Sequence, residues 1–524
     1  MMKPLHRAFV SRARRCPLRL AWADARVPRL CFGAALAKTV FLARRLRSHW
    51  AGQEMVGILL PPSVAAALAN FAAMLMGKIP VNLNYTLSEE LLAACARRCR
   101  LETVLTSRVF LDRIKVKIPT RALLVEEMAA RPRLGETLLA MALAWLAPAG
   151  RLERAVGRLQ PASLDDLATV IFSSGSTGDP KGVMLTHSNL VSNAEQLDQT
   201  YHFGPQDRFL GVLPFFHSFG FTATLITPAL FGVGVAYHPN PLDAKPIGSL
   251  ARRYRATYLM ATPTFLQLYL RGCEPADFAS LRLVMVGAEK LPERLATAFE
   301  QKFGIRPVEG YGCTECSPVI AANTRQALQG SVGRPLPGMS VRIVHPETGA
   351  PVPPGEPGLL MVQGPNVMRG YLGQPEKTAE ALRNGWYVTG DIASLDADGF
   401  LHITDRLSRF SKIGGEMVPH VQIEEKLHEA AGATEIAFVV CGVPDPKKGE
   451  RLLVFHTLPE DRIAEVVQRL PLMGLPNLWI PRRNQFVRLE TFPRLASGKT
   501  DWRTLREMAL GLAAPKADEA PDEA

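Results

Sequence analysis

The stretch ATVIFSSGSTGDPKG, residues 168–182, decides how this chain is read. The run ATVIF is apolar and rich in β-branched residues, the pattern of a buried strand. It leads into SSGSTGDPKG (173–182), which holds three glycines, three serines, one threonine and one lysine. Backbone N–H groups freed by Gly175, Gly178 and Gly182 can converge on an anion. Ser173, Ser174, Ser176 and Thr177 add hydroxyl donors, and Lys181 adds a full positive charge. A helical pattern follows, SNLVSNAEQLDQTY, whose N-terminal dipole end would favour the same anion. The string is not GxxxxGK[ST], so it is no ordinary nucleoside-triphosphatase loop.

Outward from this loop the chain alternates between strand and helix patterns. On its N-terminal side, VGIL and IPVNLNY read as strands. Between them VAAALANFAAMLM reads as a helix closed by Gly77, and Ser88 caps the helix EELLAACARRCR. On its C-terminal side ATYLM precedes the helix PTFLQLYLRG, and LRLVMV precedes GAEKLP and the helix ERLATAFEQKF. Such alternation predicts parallel α/β architecture. From about 330 the texture becomes dense in Gly and Pro with short strands, up to a hairpin turn at Asp398-Gly399. After 405 it is α+β, with a helix VQIEEKLHEAAG, a strand EIAFVVCGV and a second helix near 460–470. The expected organisation is a large α/β domain over 1–405, with parallel α/β subdomains and a β-rich subdomain at about 330–404. A small mobile α+β domain follows over 406–512, and a disordered Ala/Pro/acidic tail over 513–524.

The totals fit such a protein. The chain has 524 residues, 47% hydrophobic and 21% charged, enough for several cores. The net charge of +12 suits an acidic protein partner, an anionic membrane surface or an acidic substrate. Nucleic acid is not expected, because the arginines are scattered and aromatics are only 7%. The pairs Cys95/Cys99 and Cys313/Cys316 lack a second half of a zinc site, so the eight cysteines read as free thiols of a reducing cytoplasm. The arginine-rich N-terminus lacks the apolar core of a signal peptide. LLAMALAWLAPAG (138–150) is shorter than the ~20 apolar residues a spanning helix needs. It suits a core helix, a helix lying on a membrane surface, or a cover over an acyl pocket.

Four further clusters carry chemistry. In EGYGCTEC (309–316), Tyr311 offers a flat face for a base, Thr314 a hydroxyl, and Glu315 a carboxylate for a hard cation such as Mg2+. In NGWYVTGDIA (384–393), Asp391 can accept hydrogen bonds from two ribose hydroxyls. DRLSRFSKIGGEMV (405–418) and FPRLASGKTDW (492–502) follow, the latter with Lys499 in a Ser-Gly turn.

Together and in this order, the five motifs resemble the adenylate-forming superfamily of acyl-CoA synthetases, luciferases and peptide-synthetase adenylation domains. The resemblance covers about residues 5–510. It implies ATP and Mg2+ as cofactors. SSGSTGDPKG would grip the pyrophosphate, and Gly287, Ala288 and Glu289 would line the adenine edge, with Tyr311 stacked nearby. Thr314 would bind the α-phosphate, Glu315 the Mg2+, and Asp391 with Arg406 the ribose. Lys499 would be the catalytic lysine, and His217 of LPFFHSFG would stand beside the acyl carboxylate. Ser408 would be the hinge, although relatives usually carry Asp or Lys at that position and Gly where this chain has Asp405.

Segments such as VGILLPPSVAAALANFAAMLMGKIPVNLNYT and RFSKIGGEMVPHVQIEEKL are similar to the acyl-ACP synthetase domain of bacterial 2-acylglycerophosphoethanolamine acyltransferase/acyl-ACP synthetases. That likeness implies transfer of a medium- or long-chain fatty acid to acyl carrier protein, which is acidic where this chain is basic. Arg482, Arg483, Arg488 and Arg494 are candidates for docking it. Many CoA ligases carry a basic residue just before Gly414-Gly415, where this chain has Ile413, preceded by Lys412. The alternatives are an acyl-CoA ligase of the same fold, adenylation without a thiol step, and a non-catalytic nucleotide-binding homologue. His202 and Asp207 have the spacing of a glycerolipid acyltransferase motif without its other blocks, so no acyltransferase activity is expected. The expected location is the cytoplasm, with peripheral contact at the inner face of the cell membrane.

Overall fold

The computed structural model describes residues 2–173, 180–324, 328–406, 409–413, 416–433, 436–445, 448–493 and 500–513. The predicted alternation is present. A four-stranded sheet runs in the order Ile79–Asn82, Met55–Ile58, Thr103–Thr106, Arg121–Leu124, with every pair parallel. Its helices start on real caps: Ser63 accepts from Ala66 N–H and Ser88 from Leu91 N–H. A nine-stranded sheet holds a parallel centre, in the order Val308–Gly312, Leu283–Val286, Tyr258–Ala261, Arg208–Gly211, Gly234–Tyr237, Leu20–Ala23. Antiparallel strands close both its edges. Between 340 and 406 a second kind of sheet appears, with five strands and tight turns, as the Gly/Pro texture predicts.

One expectation is corrected. The glycine-rich loop does not open a helix. It joins Leu167–Ser173 to Lys181–Thr186, two antiparallel strands paired from Leu167↔Thr186 to Ser173↔Lys181. The run after the lysine, GVML, pairs with the strand before it, and Val183 and Leu185, on one face of the sheet, are fully buried. The helix begins only at His187, capped by Thr186 and Asn189, so its dipole does not serve the loop.

The chain divides into two compact units. One holds Met1–Val341, Met361–Val388 and Ala397–Leu401; the other holds Arg342–Leu360, Thr389–Asp396 and His402–Ala524. In the first, Phe9 stacks on Phe71 at 4.5 Å and on Trp22 at 5.4 Å between ring centroids. In the second, the strand Phe438–Asp445 buries both faces. Phe438 and Val440 join Ile423 and Leu427 on one side; Val439 and Cys441 join Leu505 and Ala509 on the other. That explains why FVVC reads as a continuous apolar run. No helix among the described residues is long and apolar enough to cross a membrane.

Buried histidines make the fold acid-sensitive. His187 is buried and accepts the Leu5 N–H through Nδ1 at 3.3 Å; burial holds its pKa well below the ordinary value. His420, hydrogen-bonded to Ser411 Oγ at 2.8 Å, is pushed down to about 3, first by burial and then by Arg409. Both are neutral when folded, whereas the unfolded chain takes up their protons near the ordinary histidine pKa of about 6.5. Their contribution is complete above that pH and is lost as pH falls toward the folded pKa. Calorimetric melting temperatures should therefore drop between pH 6.5 and pH 4, as ~6.5 is the unfolded value. His420→Gln should flatten that drop in the second unit's transition.

Candidate active site

The hairpin sets the first part of the site. Ser173 and Lys181 face each other at the ends of its strands. The carbonyl of Pro180 is held by the Arg98 guanidinium. Gly370 and Tyr371 extend the hairpin as a third strand, paired with Met184 and Val183. Lys181 lies with its ammonium 5.0 Å from the centre of the Tyr371 ring, a cation–π contact that fixes a flexible side chain. Ser174, Gly175, Ser176, Thr177 and Gly178 lie outside the described residues.

The second part is the turn after the strand Val308–Gly312. A Cβ on Gly312 would stand 2.0 Å from the Pro318 carbonyl oxygen, so only glycine fits. The turn is pinned from two sides. Met368 N–H donates to Glu315 O at 2.7 Å and Ser317 Oγ to Asn366 O at 2.8 Å. Thr222 Oγ1 donates to Ser317 O at 2.6 Å. Thr314 Oγ1 lies 3.1 Å from Ser218 Oγ. Glu315 is buried, and its Oε1 accepts the Tyr371 hydroxyl at 2.9 Å. Burial, and then the charge of Glu315, raise the Tyr371 pKa, so the phenol keeps its proton. Tyr387 hydrogen-bonds Tyr371 in turn.

The third part lies where 217–220 meets the strand end at 286. His217 is exposed beside buried Ser218, just before a π-helix, Gly220–Ile226. Single π-helical turns recur at functional sites. A Cβ on Gly287 would meet the Phe219 ring at 3.4 Å. Ala288 has φ +68, a left-handed conformation costly for a residue with a side chain. Glu289 accepts the Thr264 hydroxyl at 2.8 Å. Tyr311, half-buried, sits on the strand that leads to Thr314.

One unit thus brings together Ser173, Lys181, His217, Gly287, Thr314 and Glu315, through the strand pairing and side-chain contacts of their segments. Asp391 belongs to the second unit, where it is buried and its N–H donates to Thr389 Oγ1 at 3.0 Å. Ser408, Lys499 and the Arg406 side chain lie outside the described residues. Ile413 is part of the second unit's core, and Lys412 on the opposite strand face pairs with Glu347.

Three residues escape sequence reasoning. Ser218 and Tyr387 stand inside quoted motifs beside the residues singled out. Tyr371 is 56 positions from Glu315, and no local pattern links them. Tyr371→Phe removes a donor to a buried carboxylate, which costs about 1–3 kcal/mol. A calorimetric melting temperature below the parent's would show that cost.

A fold of this kind with this cluster defines an enzyme class, and sequence comparison agrees. Residues 9–372 match the AMP-binding enzymes, and the chain belongs to that family. It is 37% identical over 328 residues to a feruloyl-CoA synthase of an Amycolatopsis species, covering 61% of this chain and 66% of that protein. It is 34% identical over 352 residues to a long-chain-fatty-acid–CoA ligase of Bacillus subtilis, covering 65% and 62%. O-succinylbenzoate coenzyme A synthetase of Bacillus subtilis, solved with ATP and magnesium, superposes with a TM-score of 0.78 at 25% identity. The match covers 95% of this chain and 99% of that one. The fold is therefore the adenylate-forming one, a large N-terminal α/β domain followed by a small C-terminal domain. The matched stretch spans two-thirds or less of the two curated relatives' own lengths.

Proposed function

We propose that the protein is an AMP-forming acid–thiol ligase that activates a medium- or long-chain fatty acid. The carboxylate attacks the α-phosphate of ATP, pyrophosphate leaves, and the acyl group of the acyl-AMP passes to a thiol. The observation that carries this reading is the cluster of Lys181, Tyr371, Glu315, Thr314 and Ser218 within the region matching AMP-binding enzymes. A fatty acid is favoured by the Bacillus long-chain ligase.

The residues suit ATP and Mg2+. Glu315 offers a hard carboxylate oxygen held by one tyrosine, the donor type Mg2+ takes. When bound, the ion neutralises phosphate charge. Lys181 and the 173–178 segment hold the leaving pyrophosphate, and Thr314 the α-phosphate. Gly287, Ala288, Glu289 and Tyr311 frame the base, Asp391 and Arg406 the ribose. His217 orients the acid. Lys499, carried with hinge residue Ser408 by a mobile domain over 406–512, bridges carboxylate and α-phosphate.

Coenzyme A is the first reading for the thiol, because both curated relatives use it by name. Acyl carrier protein is the second. It is supported by exposed Arg482, Arg483 and Arg488 and by an apolar Ile413 packed in the core. Both acceptors are cytoplasmic, which sets the proposed location. Incubation with ATP, Mg2+, palmitate and either CoA or holo-carrier protein should give AMP and one acyl thioester. Absence of acid-dependent pyrophosphate exchange with fatty and aromatic acids alike would overturn the ligase reading.

A further inference from the structure

The helix Leu134–Leu146 turns most of its large apolar side chains outward. It buries only Ala140 and Ala144, an i, i+4 seam of small side chains. Four of its five leucines face water: Leu146 is 81% exposed, Leu134 75% and Leu138 55%, with Leu139 exposed too, as are Met141 and Trp145. A contiguous apolar surface of this kind on one helix marks an interaction site. The helix is nonetheless firmly placed. Arg14 donates to the carbonyls of Ala144 and Ala147 at 2.8 and 2.6 Å, tying its C-terminal end to the first helix. Trp145 packs on the helix Phe32–Leu46 where Gly33 leaves room; a Cβ there would stand 2.7 Å from the indole. Beside this contact lies an apolar cavity of about 560 Å3, walled by Phe41, Ala65, Leu68, Val125, Met141 and Trp145. Met141 and Trp145 belong to both the exposed patch and the cavity wall.

The charges around the patch choose its partner. Arg131 and Arg133 precede the helix, Arg151 and Arg154 follow it, and all four are exposed. Lys38, on the cavity wall, is exposed as well. The acidic residues of the same stretch are already matched: Glu136 pairs with Arg45 at 2.6 Å, and buried Glu153 pairs with Arg7 at 2.6 Å. An apolar helix with an indole, flanked at both ends by exposed cations, fits the boundary between lipid headgroups and acyl chains. We propose that Leu134–Leu146 seats the first unit on an anionic lipid bilayer, with Trp145 at acyl depth beside a cavity that receives one lipid chain. This surface is separate from the nucleotide cluster and does not depend on the ligase reading.

The test is co-sedimentation of the full chain with phosphatidylcholine vesicles, with and without phosphatidylglycerol. Binding should require phosphatidylglycerol and weaken as salt rises. The double variant Leu138→Asp/Leu146→Asp changes two exposed positions. It should lower partition roughly tenfold or more, while its circular dichroism and pyrophosphate exchange match the parent. Lipids brominated on the acyl chain should quench tryptophan emission in the parent and much less in Trp145→Phe. Equal binding by parent and double variant, no dependence on phosphatidylglycerol, or quenching unchanged by Trp145→Phe would overturn the proposal. So would a parent dimer in light scattering that the double variant dissolves without any vesicle binding, because the patch would then cover a second copy.

Discussion

Lys499→Ala is expected to lower acid-dependent pyrophosphate exchange by on the order of 10²–10³-fold while leaving thioester formation from supplied acyl-AMP largely intact. The reason lies in the first half-reaction. A carboxylate must approach an α-phosphate that is itself negative, so charge has to be neutralised where the new bond forms. A lysine suits this role because it stays protonated, with a free pKa of about 10.4, and its long stem reaches both groups. In the second half-reaction a thiol attacks a carbonyl, AMP leaves, and no second anion needs to be brought up to the phosphate. A cation specific to the first step is then idle. The two rates are measured separately, by exchange of labelled pyrophosphate and by acyl-thioester formation from synthetic acyl-AMP. Equal loss in both would refute a lysine that serves adenylation alone.

What the sequence makes legible is local. Ser88 announces its helix because an N-cap is a contact three residues long, whereas the cap that Ser63 makes escapes sequence reasoning. The strand at 438 is plain because both its faces are apolar. The glycine-rich loop stands out for the same reason, yet its setting does not. GVML and SNLVSN are adjacent, and pairing with the preceding strand decides where the helix begins. The support of the site is not legible at all. Tyr371 reaches Glu315 because Gly370 and Tyr371 pair with the hairpin, and such a pairing leaves no trace in spacing. The long apolar helix is legible as a helix but not in its place, since the same composition suits a core and a membrane surface. Only the exposure of Leu138 and Leu146 separates the two.

Glu315→Gln is the second large effect expected, and it separates charge from shape. Glutamine fills the same volume and can still accept the Tyr371 hydroxyl, which donates at 2.9 Å in the parent. The turn around it is held by backbone and by other side chains: Met368 N–H on Glu315 O, Asn366 beside Ser317, and Thr222 below. The variant should therefore fold as the parent does, with an unchanged melting temperature to within a degree or so, since removing a buried charge while keeping its hydrogen bond is near neutral. What it loses is a full negative charge for a hard cation. Exchange should fall on the order of 10²-fold, and the Mg2+ concentration for half-maximal rate should rise. Tyr371→Phe acts on the same carboxylate by loosening it, so its effect should be smaller, and combining it with Glu315→Gln should add little to Glu315→Gln alone. Because the two residues touch, the pair should be less than additive, as contacting residues are. Strict additivity would mean that Tyr371 does not act through Glu315. A Glu315→Gln protein that exchanges pyrophosphate at the parental rate and Mg2+ dependence would remove Glu315 from the metal's first contacts.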